Sequence, residues 1–134
     1  MGKARTQASQ AGVTLDAGAL IALERGDRRM IALLQEVARR SSRIRVPAGV
    51  VGQAWRDGAR QVVLARFLRS REVEIKVLDA ELARACGELC RAAQTSDVID
   101  ASVVVTARQY RDTIVTSDVD DLQHLDPSAH IERI

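Results

Sequence analysis

Aromatic side chains are almost absent from this chain of 134 residues, which has one Trp, one Tyr and one Phe. Proteins that bind single-stranded nucleic acids usually stack bases on several aromatic rings, so this chain has few candidates for such stacking. Cysteine is equally scarce. Cys86 and Cys90 lie four residues apart with no His nearby, which excludes a disulfide framework and disfavours a zinc site. Their apolar neighbours predict two small buried residues on one helix.

Long apolar segments are also missing, since no run approaches the ~18 residues that span a bilayer. Residues 1–10 are polar and lack the apolar core of a signal peptide. We therefore expect a cytoplasmic protein. An apolar content of 46% excludes a disordered chain, and this length favours one domain. We predict a flexible extension over residues 1–12 and a folded domain over residues 13–134.

Basic residues are nearly all arginine, with eighteen Arg against two Lys, and the net charge is only +2. This excess has two explanations, a bias toward GC-rich codons or contacts to phosphate groups. Six arginines near one predicted helix either line an RNA path or lie on solvated faces: Arg39, Arg40, Arg43, Arg45, Arg56 and Arg60. Trp55 lies among them, as a candidate for base stacking, for anchoring a partner peptide or for a dimer contact.

Hydrophobic periodicity predicts strands that alternate with helices. Strands are expected at residues 13–15, 44–46, 73–77 and 112–116, with an edge strand at 130–134. Helices are expected over about 17–25, 28–38, 47–55, 59–69, 80–93, 97–109 and 117–122. Pro47 should open the third helix, and Val63 should face the core from the fourth. The alternation predicts an α/β fold with a parallel sheet of four to five strands, covered by helices on both faces.

Several carboxylates follow the predicted strands. Asp16 ends the first strand and Asp118 follows the fourth, so both belong to the rim where parallel strands end. Asp97 and Asp100 lie three residues apart at the start of a helix and share one face, and Asp121 repeats that spacing after Asp118. His124 and His130 have no neighbour that suggests catalysis and are expected at the surface.

Converging carboxylates repel one another unless a cation neutralises them. Oxygen ligands suit Mg²⁺ or Mn²⁺, which can activate water and hold a scissile phosphate. The chain has no Gly-rich phosphate loop, which favours phosphodiester hydrolysis over a nucleotide-driven switch. Helix capping explains Asp97, Asp118 and Asp121 equally well, at about 1 kcal/mol or less each.

Three segments together resemble PIN domains, above all the toxins of VapBC-type toxin–antitoxin pairs. They are Val-Thr-Leu-Asp-Ala-Gly-Ala-Leu-Ile-Ala-Leu-Glu at 13–24, Asp-Val-Ile-Asp-Ala at 97–101 and Val-Thr-Ser-Asp-Val-Asp-Asp-Leu at 115–122. The resemblance implies a single PIN-like domain and a Mg²⁺- or Mn²⁺-dependent endoribonuclease. It also implies an RNA substrate, a cognate antitoxin that inhibits the toxin, and a homodimer.

By motif match, the resemblance implies that Asp16, Asp100 and Asp118 are the catalytic, metal-binding acids. Thr116 and Ser117 match a hydroxyl pair next to the last acid. The family's usual second acid, a Glu, is replaced by Gln53, which removes one negative charge.

Asp97 or Asp121 would restore that charge if either faces the site, whereas Glu24 is too far along its helix to be a strong candidate. Gln53 and Arg56 are candidates for substrate contact, together with the hydroxyl pair. The alternative function is a catalytically weakened RNA- or protein-binding module. A DNA nuclease is a third possibility, because the same chemistry would serve.

Overall fold

The computed structural model describes residues 11–134, so most of the predicted extension lies outside the described part. The strands are β1 (Val13–Leu15), β2 (Ile44–Pro47), β3 (Val73–Lys76), β4 (Thr113–Thr116) and β5 (Ile131–Arg133). The helices are α1 (Ala17–Glu24), α2 (Arg28–Arg39), α3 (Ala48–Ala54), α4 (Val62–Leu68), α5 (Ala80–Ala93), α6 (Val98–Tyr110) and α7 (Val119–Leu125). Gly12, which we placed in the extension, already borders the sheet, because its carbonyl accepts a hydrogen bond from the Thr113 amide at 3.1 Å.

The five strands form one parallel sheet in the order β3-β2-β1-β4-β5, which confirms the predicted α/β fold. The chain builds outward from β1 to β3 and then returns to place β4 on the other side of β1. Because parallel crossovers are right-handed, helices before and after that return cover opposite faces. Such a reversal opens a crevice at the carboxyl ends of the two central strands, β1 and β4.

The helices are short, and side chains cap several of them. Asp27 and Asp79 cap α2 and α5 by accepting backbone N–H groups, and Gly26 ends the preceding turn with a φ of +75°. Cys86 and Cys90 are buried on α5, as predicted. That helix is the longest, with 14 residues, and no helix within residues 11–134 is long and apolar enough to cross a bilayer.

Two details of the helices differ from the prediction. Pro47 is the last residue of β2 and the N-cap of α3, because its extended backbone (ψ 141°) precedes the helix. The next helix, α4, starts three residues late, and Val63 is 52% exposed instead of facing the core. The cause is the buried amide of Gln61, whose oxygen accepts two loop N–H groups at 2.7 and 3.0 Å and keeps the preceding segment out of the helix.

A buried ion pair lies beneath the middle of the sheet. Arg45 on β2 is 2% exposed, and its Nη1 donates to Asp112 at 2.8 Å. The same guanidinium donates through Nε to Glu74 at 3.1 Å and stacks on Tyr110, 3.9 Å from the ring centroid. Both alternatives for Arg45, an RNA contact or a solvated face, are therefore wrong, because internal partners bind its charge.

Candidate active site

Asp16 lies at the crevice between β1 and β4. It caps α1, with Oδ1 accepting the Ala19 amide at 2.9 Å, while Oδ2 accepts the hydroxyl of Thr116. The residue is 6% exposed, and this burial raises the pKa of Asp16 above its ordinary value. The hydrogen bond from Thr116 offsets part of that rise, and the nearby negative charge of Asp118 adds to it.

Thr116 connects the acid of β1 with the acid that follows β4. Its hydroxyl donates to Asp16 and accepts the backbone N–H of Asp118 at 2.8 Å. The parallel register, which pairs Leu15 with Val115, brings the next residues of the two strands together. Because Thr116 is fully buried, this placement favours a positioning role over the substrate contact expected above.

Gly18 allows the loop after β4 to approach the first acid closely. A Cβ on Gly18 would clash with Oγ of Ser117 and would lie 3.4 Å from Oδ1 of Asp16. The Asp-Ala-Gly sequence therefore combines an acid with the missing side chain that lets Ser117 lie beside it. Ser117 is exposed, so its hydroxyl remains a candidate for contact with a substrate.

A second pair of acids opens α6. Asp97 caps the helix, with Oδ1 accepting the Asp100 amide at 2.9 Å, so the capping explanation holds for Asp97. Partial burial is the main cause that raises the pKa of Asp100 to about 7, followed by repulsion from Asp97, Asp121 and Asp16. Asp100 thus interacts with Asp97 of its own helix start and with acids from two other segments of the chain.

Asp121 completes the cluster from α7. Its carboxyl group lies within hydrogen-bonding reach of Asp118, and this contact, together with repulsion between the two, raises the pKa of Asp121. A small cavity of about 130 Å³ separates the two acidic helix starts. It is lined by Thr95, Asp97, Asp100, Asp121, His124 and Leu125. Both candidate replacements for the missing acid therefore line the same small cavity as Asp100.

His124 is the site-lining residue that sequence analysis missed. It lies three residues after Asp121, a spacing that places both on one helix face and that could have pointed to it. A larger cavity of about 590 Å³ lies between α2 and the β4–β5 edge, and none of these acids lines it.

The five acids Asp16, Asp97, Asp100, Asp118 and Asp121 form a cluster whose negative charge lacks a counterion. No ion pair within residues 11–134 includes any of them. Carboxylates in this state are suitable ligands for a hard divalent cation. In their present rotamers, however, no three acidic, His or Cys side chains of the described residues converge on one metal-sized point. The donor chemistry fits a cation, and the side chains must close around it to bind.

Gln53 and Arg56 lie at the end of α3 and just after it, outside the lining of the small acidic cavity. Gln53 is exposed near the end of α3 and does not line the acidic cavity. Arg56 folds back on the same helix, where Nη1 donates to the carbonyls of Gly52 at 3.0 Å and Trp55 at 2.6 Å. Neither residue lines the small acidic cavity, and their contact with a substrate stays a prediction.

The family model for the PIN domain matches residues 13–126. The chain belongs to the PIN domain family. PIN domains are generally nucleases, and the match spans every member of the acidic cluster. By sequence, no curated protein matches the chain.

Solved structures with the same fold include toxin–antitoxin proteins. VapBC2 from Rickettsia felis, bound to a DNA fragment from their promoter, matches with a TM-score of 0.68, 18% identity and coverage of 91% of this chain and 98% of that one. FitAcB from Neisseria gonorrhoeae matches with a TM-score of 0.62 and 17% identity, over 89% of this chain and 95% of that one. Mycobacterium tuberculosis VapC20, a Sarcin–Ricin loop cleaving toxin, matches with a TM-score of 0.59 and 21% identity, over 77% of this chain and 87% of that one. At these identities, the likeness concerns the fold of the PIN domain.

Proposed function

We propose that this PIN domain is a metal-dependent endoribonuclease and the toxin of a toxin–antitoxin pair. The observation that carries the proposal is the cluster of five uncompensated carboxylates at the carboxyl ends of β1 and β4 and the neighbouring starts of α6 and α7. Such a cluster is costly in an apo protein, and a divalent cation removes the cost. Membership of a family of nucleases supports phosphodiester hydrolysis as the reaction.

Asp16, Asp100 and Asp118 are the proposed ligands of Mg²⁺ or Mn²⁺, with Asp121 and Asp97 supplying the charge that Gln53 lacks. When bound, the ion would polarise the scissile phosphate and lower the pKa of water. Thr116 holds one oxygen of Asp16 and the backbone N–H of Asp118, which fixes the Asp16 carboxylate next to the start of α7. Asp100 has a pKa of about 7 and must release its proton to become a ligand.

The proposal extends to the partners. The similar structures include a toxin that cleaves the Sarcin–Ricin loop and complexes of the VapBC and FitAB type, which supports RNA as the substrate and an antitoxin as the inhibitor. We propose a cytoplasmic homodimer. Ser117, an exposed residue, is the proposed substrate contact next to the acids, and Gln53 and Arg56 are further candidates for substrate contact.

A cleavage assay tests the proposal. Purified protein is incubated with labelled total RNA, and with single-stranded DNA, in Mg²⁺ and then Mn²⁺, with EDTA as a control. We expect discrete RNA fragments that EDTA abolishes. Asp118→Asn should abolish cleavage, because it removes a ligand charge without changing the size of the side chain. Asp120→Asn is the matched control on the same helix and should cleave like the parent. Cleavage that persists in EDTA or in Asp118→Asn would refute the metal mechanism.

A catalytically weakened binding module is the second candidate, and two observations favour it. Gln53 replaces an acid, and the described side chains do not yet converge around one ion. Gln53→Glu distinguishes the candidates. If the parent is inactive and Gln53→Glu cleaves RNA, the chain is a weakened relative with a binding role. If neither protein cleaves RNA or DNA, both the nuclease and the weakened nuclease are rejected.

A further inference from the structure

His124 makes a contact that the proposed chemistry does not use. Its Nε2 lies 2.7 Å from the carbonyl oxygen of Ala93, at the end of α5. A carbonyl oxygen only accepts, so Nε2 donates its proton in this bond. The bond joins α7 to a segment 31 residues earlier in the sequence.

The two ends of this bond lead directly to the two groups of acids. Ala93 is the last residue of α5, and the chain then runs through Thr95 to Asp97 and Asp100 at the start of α6. His124 lies one helical turn after Asp121 on α7. The imidazole lines the same cavity of about 130 Å³ as three of the acids. The bond therefore spans the gap across which the acids repel each other.

A second connection of α7 provides a comparison. Asp126, the C-cap of α7, pairs with Arg108 at 2.9 Å, on the latter half of α6 and away from the acids. That pair anchors the carboxyl end of α7, whereas the His124 bond ties the helix to the segment that carries Asp97. Repulsion among the acids tends to push the starts of α6 and α7 apart, and the His124 bond opposes that separation.

We propose that His124 is a positioning residue that, through its bond to the Ala93 carbonyl, holds the acids of α7 close to those of α6 across the small acidic cavity. The inference rests on the proposed metal site but concerns a residue outside the ligand set. Loss of the bond lets α7 move outward, and metal binding then has to draw it back. Residues that hold metal ligands in place by hydrogen bonds contribute about 10–100-fold to the affinity for the metal. We expect the lower value here, because His124 holds a helix that carries ligands and does not bind a ligand directly.

Three substitutions at His124 separate the bond from the ring. His124→Gln places an amide N–H where Nε2 lies, His124→Asn places one where Nδ1 lies, and His124→Leu has none. His130→Leu, at the other exposed histidine, is the matched control. The affinity for Mn²⁺ alone is measured by the electron paramagnetic resonance signal of the free ion. Amide hydrogen exchange of α7 is measured without metal, relative to that of β4.

We expect His124→Leu and His124→Asn to weaken Mn²⁺ binding about tenfold and to speed exchange in α7, while His124→Gln and His130→Leu stay within about twofold of the parent. Unchanged affinity in His124→Leu would overturn the inference, as would a His124→Gln variant as weak as His124→Leu. A parent that binds no Mn²⁺ would refute the proposed metal site itself. In that case, unchanged amide hydrogen exchange of α7 in His124→Leu would also refute the role of His124 in holding α7. Faster exchange would support that role as a purely structural one.

Discussion

Replacing Asp112 with Ala should destabilise the fold strongly, because this carboxylate is the centre of a buried polar network. Its side chain is fully buried and accepts hydrogen bonds from the Gly12 amide at 2.7 Å, the Thr14 hydroxyl at 2.8 Å and Arg45 at 2.8 Å. The substitution leaves buried donors without this acceptor and a buried guanidinium without its closest counterion. Breaking such a pair costs about 3–5 kcal/mol of unfolding free energy. We expect about 3, because Glu74 still contacts Arg45.

Urea unfolding followed by circular dichroism measures this loss. The variants are Asp112→Ala, Arg45→Met and the double substitution, compared at one pH and one salt concentration. The double variant should be more stable than Asp112→Ala, since an apolar replacement of a whole buried pair is often neutral. Glu36→Ala is the control, because Glu36 and its partners Arg39 and Arg40 are all exposed and such surface pairs contribute little to stability. A loss below about 1 kcal/mol in Asp112→Ala, or additive effects in the double variant, would refute the reasoning.

Three further predictions concern the acids and the backbone. Without metal, the parent should lose stability as pH rises from 4 to 8, because the raised pKa of Asp100 makes its ionisation oppose folding. Asp100→Asn lacks this loss, so its free energy of unfolding in urea should rise relative to that of the parent by roughly 1–2 kcal/mol over this range. A difference in unfolding free energy between the two proteins that does not change with pH would contradict this prediction. Gly12→Ala should lose about 1–3 kcal/mol, because its Cβ would clash with the Arg43 carbonyl, whereas Gly87→Ala, in an open helical position, should gain about 0.5–1 kcal/mol. Thr116→Val should weaken Mn²⁺ binding about tenfold, and unchanged binding would exclude its positioning role.

Sequence reasoning located the strands and most helices because their determinants are local. The strand β1 is short and carries two apolar residues, Val13 and Leu15, and the helix caps Asp27, Asp79 and Asp97 lie directly before the helices that they begin. The predicted start of α4 was wrong because the side-chain amide of Gln61 binds backbone N–H groups of the preceding loop and delays the helix. No local sequence pattern indicates that role of Gln61. Confirmation that the chain is a PIN domain came from the match over residues 13–126.

The sequence by itself determined the alternation of strands and helices, the order of the acidic motifs and the charge that Gln53 omits. These features depend on residues within a few positions of one another. Only the tertiary structure decided which acids meet. Asp16 reaches the segment that carries Asp118 through its bond with Thr116, 100 residues away, and Asp121 comes close to Asp100 because α7 packs against α6. The tertiary structure also decided that Arg45 neutralises a buried carboxylate instead of facing solvent or RNA. A side chain's partners depend on the whole fold, whereas its helix or strand depends mainly on its neighbours.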